Sequence, residues 1–160
     1  MNITILDTYE QCCARIAEEL AALTAKKPEA LLCLAAGHSS LGVFDAMVAM
    51  QESHKADFSH VYIIGLDEWS GKATADDGSC SGFLYHNCFD RLPIPPDHIH
   101  LFDGMYTDAA AECQAAEGYI AEHGGIDYML LGMGMNGHLA LNEPGTSFEP
   151  VSYTHLRAHE

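Results

Sequence analysis

Apolar and polar positions along this chain follow two alternating patterns, one typical of helices and one typical of buried strands. Helical spacing of apolar residues occurs at about residues 8–26, 41–52, 83–92 and 107–123. Predicted strands lie between these segments, at residues 30–35, 61–66, 98–102 and 126–131, and residues 30–35 are a continuous apolar run. Continuous apolar runs are typical of strands that are buried on both faces of a parallel sheet. The order therefore predicts an α/β fold with a mostly parallel sheet and helices on both faces.

Local signals place the ends of several of these elements. Thr8 and Gln11 have the spacing of a capping box, which predicts the start of the first helix, and Pro28 ends it. Pro93, Pro95 and Pro96 stop the third helical segment. The inner faces of the first two helices are predicted to carry Cys13, Ile16, Ala17, Leu20 and Leu23, and then Leu41, Phe44, Met47 and Val48.

Composition narrows the kind of partner that the chain can bind. Its 160 residues are enough for one domain with a core, and 48% of them are apolar. A net charge of −16 at pH 7 argues against nucleic acid or an anionic membrane surface, since both require a positive footprint. With 7 basic residues, either backbone N–H groups carry the binding of a phosphate, or the basic residues for it are missing from this sequence.

The six cysteines and the N-terminal sequence indicate in which cellular compartment the protein is expected. The cysteines form no CxxC pair, and several lie in apolar segments, which favours free thiols in a reducing cytosol. The N-terminus lacks the pattern of a signal peptide, and no apolar run reaches the length of a membrane span. We therefore expect a cytoplasmic protein.

Three turns with chemically useful side chains follow predicted strands, at residues 36–40, 67–71 and 132–144. In open α/β sheets, ligands bind outside the carboxyl ends of the strands. The sequence therefore predicts that the three turns form one site.

The first of these turns contains Gly37, His38, Ser39 and Ser40 between a strand and a helix. Backbone N–H groups and hydroxyls at a helix N-terminus can bind an anion. The alternative is a tight turn in which Ser40 is only the helix N-cap. Neither a Walker A motif nor GxGxxG is present.

Acidic and imidazole groups define the other two turns. Asp67 and Glu68 could be solvated, bind a metal, or include a general base. His138 follows a glycine-rich turn that contains Asn136 and Gly137, and Glu143 could orient its imidazole. The alternative is a hairpin with an exposed histidine.

No histidine spacing matches a strong metal motif, and His98-x-His100 is at most a weak one.

Residues 126–148 contain Gly-His-x-x-x-Asn-Glu-Pro and strongly resemble the signature of glucosamine-6-phosphate deaminases. Leu66-Asp67-Glu68-Trp69 and the stretch from Phe83 to Gly104 are a second match, and residues 31–42 match more loosely. The resemblance extends to about Pro150. It implies a Rossmann-like fold and an enzyme that converts glucosamine 6-phosphate and water to fructose 6-phosphate and ammonia in amino-sugar catabolism.

The resemblance also implies roles for individual residues. Asp67 resembles the base that moves a proton between C2 and C1, and His138 the group that assists ring opening. Glu143 resembles the partner of His138, together with position 136, where some members carry Asp in place of Asn. Gly37, Ser39 and Ser40 resemble the phosphate loop, with His38, Glu68 and Gly137 as further binding residues. The implied partner is a small sugar phosphate, without a metal or organic cofactor.

The end of the chain departs from the family pattern. Residues 1–150 are interpreted as one domain that is incomplete at its C-terminus, and residues 151–160 as a tail foreign to the family. The tail resembles translated sequencing-adaptor read-through, so we expect a truncated reading frame whose 160-residue product is inactive or folds poorly. Self-association into a homo-oligomer is left open.

Three other functions compete with this interpretation. Galactosamine 6-phosphate is an alternative substrate, because residues 38–40 differ from the usual phosphate loop. A related fold, that of 6-phosphogluconolactonase, also carries Gly-His after a glycine turn, but Asp67-Glu68 and Asn142-Glu143-Pro144 argue against lactone hydrolysis. A non-catalytic domain that binds a sugar phosphate is the alternative from a different class.

Overall fold

The computed structural model describes residues 2–140 and 142, together with the main-chain placement of residues 156–157. The helices are α1 (Tyr9–Thr24), α2 (Leu41–Glu52), α3 (Cys80–Asn87) and α4 (Ala109–Glu122). The strands are β1 (Leu31–Leu34), β2 (Tyr62–Gly65), β3 (Glu68–Trp69), β4 (Ile99–His100), β5 (Tyr128–Leu130) and β6 (Leu156–Arg157). The alternation of helices and strands predicted from the sequence is confirmed.

The main sheet has the strand order β4-β2-β1-β5, and all of its pairings are parallel. Leu32 of β1 lies opposite Ile63 of β2 and Tyr128 of β5. The chain therefore leaves β1 toward one edge of the sheet and later returns to the other side of β1. Such a reversal is the topological switch point at which ligands bind in this class of sheet. A separate parallel pair joins β3 to β6.

Strand β1 is buried on both of its faces. Leu32 and Leu34 belong to a core that is shared with α1, α2 and α3, whereas Leu31 and Cys33 belong to a second core that is shared with α4. Helices therefore cover both faces of the sheet, as predicted. The continuous apolar run in the sequence reflects this two-sided burial.

The first helix begins as its capping signal predicts. The hydroxyl of Thr8 accepts a hydrogen bond from the N–H of Gln11, at 3.2 Å. Cys13, Ala17 and Leu20 are buried, in agreement with the predicted inner face. The second helix also has the predicted bounds, although Val43 rather than Leu41 is the first of its residues to be buried.

The predicted position of α3 is wrong by one turn. The helix begins at Cys80 rather than Phe83 and ends at Asn87, and a short 3-10 turn follows at Phe89–Arg91. The hydroxyl of Ser79 caps the helix by accepting a hydrogen bond from the N–H of Gly82, at 3.0 Å. Because the segment before Phe83 is polar, apolar periodicity did not reveal this early start.

The fourth strand is shorter than predicted, and its histidines do not form a metal site. His98 ends a 3-10 turn, where its ring stacks on Tyr62 with centroids 4.1 Å apart. His100 lies in β4 and stacks on Tyr119 of α4, at 4.9 Å. Among residues 2–140 and 142, no group of three side chains has the arrangement of a metal site.

All six cysteines lie in the described part of the chain and are free thiols, as predicted. Four of them are buried, namely Cys13, Cys33, Cys88 and Cys113. Among the described helices, none is long and apolar enough to cross a membrane.

Candidate functional site

The three turns predicted to form a site follow three neighbouring strands. Residues 35–40 follow β1, residues 66–67 follow β2, and residues 131–138 follow β5. Because β1 lies between β2 and β5 and all three are parallel, their carboxyl ends share one edge of the sheet. The fold therefore brings together residues that are far apart in the sequence.

The turn after β1 begins at Gly37, whose φ of 155° and ψ of 157° are adopted almost only by glycine. His38 and Ser39 are exposed, whereas Ser40 is buried. The Ser40 hydroxyl donates to the carbonyl of Ala35, at 3.0 Å, and the Ser40 N–H donates to the carbonyl of Gly37, also at 3.0 Å. Ser40 therefore closes the turn, and the groups open to a ligand are at His38 and Ser39.

Ser40 is the residue before α2, but its side chain makes no capping hydrogen bond to that helix. Ser40 thus occupies the N-cap position that the sequence suggested, but its hydroxyl does not cap the helix. We propose Ser40 as a structural residue of this turn rather than a direct contact of a phosphate.

Ser39 also connects this turn with the one that follows β5. A Cβ atom built on Gly132 would lie 3.2 Å from the hydroxyl oxygen of Ser39. The two turns therefore approach each other at the point where β1 and β5 end. The hydroxyl of Ser39 stands at the junction of the two turns.

Asp67 lies half-buried directly after β2 and Leu66. Burial is the main reason that the pKa of the Cys33 thiol rises to about 12, and the charge of Asp67 adds to this effect. Asp67 therefore stands close to β1 as well as to the end of β2. The thiol of Cys80, at the start of α3, also has its pKa raised, first by burial and then by the charges of Asp67 and Glu68.

Glu68 is 2% exposed and binds main-chain N–H groups. Its carboxylate accepts hydrogen bonds from the N–H groups of Trp69, Cys80 and Ser81, at 2.8–2.9 Å, and from the hydroxyl of Ser79, at 3.0 Å. Burial alone would raise the pKa of Glu68, but these hydrogen bonds outweigh burial and lower it. This geometry favours a structural role for Glu68 over the substrate contact expected from the sequence.

The glycine-rich turn after β5 folds back on itself. Met133 and Leu139 form an isolated antiparallel bridge, and the N–H of Gly134 donates to the carbonyl of His138, at 2.9 Å. A Cβ atom on Gly134 would lie 2.5 Å from the Nε2 and Cε1 atoms of His138. The half-buried imidazole of His138 therefore occupies the space that only glycine leaves open.

Asn136 and Gly137 shape the same turn. The side-chain oxygen of Asn136 accepts a hydrogen bond from the N–H of His138, at 3.3 Å, and Gly137 has a φ of 83°. Asn136 thus contacts the backbone of His138. Glu143, the predicted partner of His138, lies outside the described residues. The hairpin form of the turn agrees with the alternative considered from the sequence, but His138 is half-buried rather than exposed.

Two supporting residues could not be identified by sequence reasoning alone. The hydroxyl of Tyr9, in the first turn of α1, contacts the main chain of residues 38–42. Gly104 packs so closely on the loop after Glu68 that an added Cβ would lie 2.5 Å from the carbonyl oxygen of Trp69. Gly104 belongs to a stretch that matches the deaminases, but its packing partner depends on the tertiary structure.

The motifs and the fold agree with a comparison against known protein families. The family of glucosamine-6-phosphate isomerases/6-phosphogluconolactonase matches residues 6–145. The chain belongs to this family. The match includes every candidate site residue named above.

Relatives within the family that resemble the chain in sequence include glucosamine-6-phosphate deaminases. The chain is 37% identical to the glucosamine-6-phosphate deaminase of Shouchella clausii over 156 residues, which are 98% of the chain and 62% of the relative. It is 34% identical to glucosamine-6-phosphate deaminase 2 of Bacillus subtilis over 149 residues, which are 93% of the chain and 60% of the relative. The chain thus spans about three fifths of the length of these relatives.

Solved structures of the family share the fold. A monomeric glucosamine-6-phosphate deaminase superposes with a TM-score of 0.89 at 30% identity, over 94% of the chain and 62% of that structure. A 6-phosphogluconolactonase from Thermotoga maritima superposes with a TM-score of 0.72 at 23% identity, over 86% of the chain and 62% of that structure. The second likeness bears on the fold alone.

Proposed function

We propose that the chain carries the catalytic residues of a glucosamine-6-phosphate deaminase, which converts glucosamine 6-phosphate and water to fructose 6-phosphate and ammonia. The observation that carries this proposal is the meeting of three turns at the ends of β2, β1 and β5. These turns contribute a carboxylate, an anion-binding loop and an imidazole to one edge of the sheet. The similarity to curated deaminases supports the same activity.

Asp67 is the proposed general base. Removal of the proton from C2 of the open-chain sugar and its return to C1, with transfer of a proton from the nitrogen to the C1 oxygen, converts the C2 amine into an imine and the C1 aldehyde into an alcohol. Water then hydrolyses the imine to a ketone and ammonia. A base for this step needs a lone pair within hydrogen-bond reach of C2. The half-buried position of Asp67 directly after β2 supports this role, because it places the carboxylate at the edge of the sheet where the three turns meet.

His138 is the proposed acid–base group for ring opening, where a proton must reach the ring oxygen while another leaves the C1 hydroxyl. Its ring is held over Gly134, and Asn136 contacts its main chain. Asn136 cannot ionise, so we assign the orientation of the imidazole to Glu143. Gly137 gives the turn its left-handed backbone.

The turn of residues 37–40 is the proposed phosphate loop. The exposed hydroxyl of Ser39 and the N–H groups of His38 and Ser39 are the proposed donors, at the start of the segment that leads into α2. Anions bind well at such positions because unpaired N–H groups and the helix dipole both favour negative charge. His38 is exposed beside the proposed phosphate donors, where its side chain could contact the sugar. Galactosamine 6-phosphate therefore remains the alternative substrate.

The reaction proposed here needs no metal or organic cofactor, and the substrate is a small sugar phosphate. The six free thiols support a cytoplasmic setting, where disulfides are rare.

The test is an assay of the protein expressed from its complete gene. Ammonia release is measured with glucosamine 6-phosphate and galactosamine 6-phosphate, and hydrolysis of 6-phosphogluconolactone is measured in parallel. We expect ammonia release from glucosamine 6-phosphate to be the fastest reaction. Faster lactone hydrolysis would overturn the proposal, and binding of the amino sugar without ammonia release would favour the non-catalytic domain.

Two variants separate the proposed base from other carboxylates. Asp67→Asn should lower kcat by at least about 100-fold, as expected for loss of a general base. Asp90→Asn is the matched control, because Asp90 is exposed and lies in the 3-10 turn that follows α3. Equal activity of the two variants would exclude Asp67 as the base.

A further inference from the structure

We infer that Tyr9 is a positioning residue that aims the N–H of Ser39, in the 37–40 turn, at the phosphate of the substrate. This inference rests on the proposed function, since it assigns a role to Tyr9 through the proposed phosphate loop. Tyr9 lies in the first turn of α1, which is about 30 residues away from the loop in the sequence.

The hydroxyl of Tyr9 contacts the main chain on both sides of the turn. It accepts a hydrogen bond from the N–H of Gly42, at 2.9 Å. It has one proton to donate, and two carbonyl oxygens lie within reach, those of Ser39 at 3.1 Å and His38 at 3.3 Å. One side chain thus joins the end of the turn to the beginning of α2.

The packing around Gly42 makes this contact specific. A Cβ atom on Gly42 would lie 2.9 Å from the Cε1 atom of Tyr9 and 2.7 Å from the sulfur of Cys13. The aromatic ring therefore lies directly against the main chain of α2, in space that a side chain at position 42 would fill. Thr8 caps α1 immediately before Tyr9, which fixes the helical turn that carries the ring.

The planarity of the peptide bond links this contact to anion binding. In a trans peptide the C=O and the following N–H point in opposite directions. The carbonyl of His38 and the N–H of Ser39 belong to one such unit. When the Tyr9 hydroxyl holds the His38 carbonyl on one side, the N–H of Ser39 is directed to the opposite side. The N–H of Ser40, the peptide partner of the Ser39 carbonyl, donates instead to the carbonyl of Gly37 within the turn.

Ser40 holds the inner side of the same turn. Its hydroxyl binds the carbonyl of Ala35, and its N–H binds the carbonyl of Gly37. The turn is thus fixed by Ser40 from the sheet and by Tyr9 from α1. Loss of the Tyr9 hydroxyl would leave the fold intact. The His38 carbonyl would then rest on its hydrogen bond from the N–H of Leu41, so the peptide between His38 and Ser39 would be held less firmly.

The experiment compares Tyr9→Phe with Tyr128→Phe in the protein expressed from its complete gene. Tyr128 is a matched control, because its hydroxyl also contacts α1, where it donates to Glu19 at 3.3 Å, without any contact to the turn. Dissociation constants for inorganic phosphate and glucosamine 6-phosphate are measured by calorimetry. Steady-state kinetics give KM and kcat, and hydrogen exchange reports the protection of the Gly42 amide.

For Tyr9→Phe we expect both dissociation constants and KM to rise roughly fivefold, which corresponds to the loss of one hydrogen bond. The value of kcat should stay within about twofold, because ground-state and transition-state binding of the phosphate weaken together. The Gly42 amide should exchange faster in Tyr9→Phe and at the wild-type rate in Tyr128→Phe. This combination supports the inference.

Three results would overturn it. Unchanged phosphate affinity in Tyr9→Phe refutes the positioning role and leaves the proposed function standing. Equal weakening in both variants indicates general destabilisation, which also refutes it. Absence of any phosphate or sugar-phosphate affinity in the wild-type protein refutes the proposed function, and the inference fails with it.

Discussion

The buried carboxylate of Glu68 accepts a hydrogen bond from the N–H of Ser81, at 2.8 Å. This contact joins the residue after the proposed base, Asp67, to the first turn of α3. Because the carboxylate also accepts hydrogen bonds from Ser79 and Cys80, it serves as an anion at the N-terminus of that helix. The position of Asp67 therefore depends on how α3 begins.

Glu68→Gln should reduce the free energy of unfolding by about 2–3 kcal/mol, since hydrogen bonds to a buried charge are stronger than neutral ones. The amide NH₂ of glutamine would also face N–H and O–H donors. Urea unfolding followed by circular dichroism measures the change, with Glu29→Gln, at an exposed site, as the control. A loss no larger than that of the control would contradict the structural role of Glu68.

Gly134→Ala should displace the imidazole of His138, because the new methyl group would lie 2.5 Å from the Nε2 atom. We expect kcat to fall by at least about tenfold, as a misplaced acid–base group loses much of its contribution. Gly118→Ala is the control, because Gly118 lies in α4 with open space around it. The control should keep wild-type kcat and gain up to about 1 kcal/mol of stability from helix propensity. Wild-type kcat in Gly134→Ala would argue against a catalytic role of His138.

Gly104→Ala should disturb the loop that carries Asp67. The added Cβ would lie 2.3 Å from the carbonyl oxygen of Lys72 and 3.1 Å from the Cγ atom of Glu68. Such overpacking costs about 1–3 kcal/mol of stability, and we expect kcat/KM to fall as well. Thermal unfolding and the ammonia assay, performed on the same preparation, test both effects. A stable variant with full activity would show that the loop can move without consequence.

His100 should make the protein less stable in mild acid. Burial lowers the pKa of its imidazole, and the charge of Glu112 opposes this effect only in part. Its Nε2 atom is buried and has no hydrogen-bond partner among the described residues. Since the unfolded chain binds this proton more readily, the stability contributed by neutral His100 is complete above the ordinary histidine pKa of about 6.5. It is lost as the pH falls from there toward the lowered pKa of the folded protein.

The test of this prediction is the pH dependence of the unfolding free energy in His100→Phe, which keeps a ring against Tyr119. Between pH 8 and pH 5 the wild-type protein should lose more stability than the variant. The difference in unfolding free energy between the two proteins at pH 8, where the imidazole is neutral, gives the effect of packing alone. Parallel pH profiles of the two proteins would show that His100 does not contribute.

Much of the fold could be predicted because the relevant interactions are local or two-sided. The apolar run at residues 30–35 identified β1, since both of its faces are buried. The start of α1 could be predicted because Thr8 and Gln11 contact each other within one turn of chain. Apolar periodicity missed the start of α3, because its first turn is polar. Ser79 caps it locally, but the carboxylate of Glu68, which also stabilises it, lies 12 residues before Cys80.

The sequence by itself determined the order of helices and strands, the three turns and the chemical groups that they carry, because periodicity and turn residues act over a few positions. Tertiary structure decided which of those groups face a ligand. It pairs the hydroxyl of Ser40 with the carbonyl of Ala35, and the carboxylate of Glu68 with an N–H group of α3. It also brought Tyr9 to the turn of residues 37–40 and Gly104 to the loop after Glu68. The contacts of Glu68, Tyr9 and Gly104 depend on how distant segments pack together, and no local pattern in the chain encodes their partners.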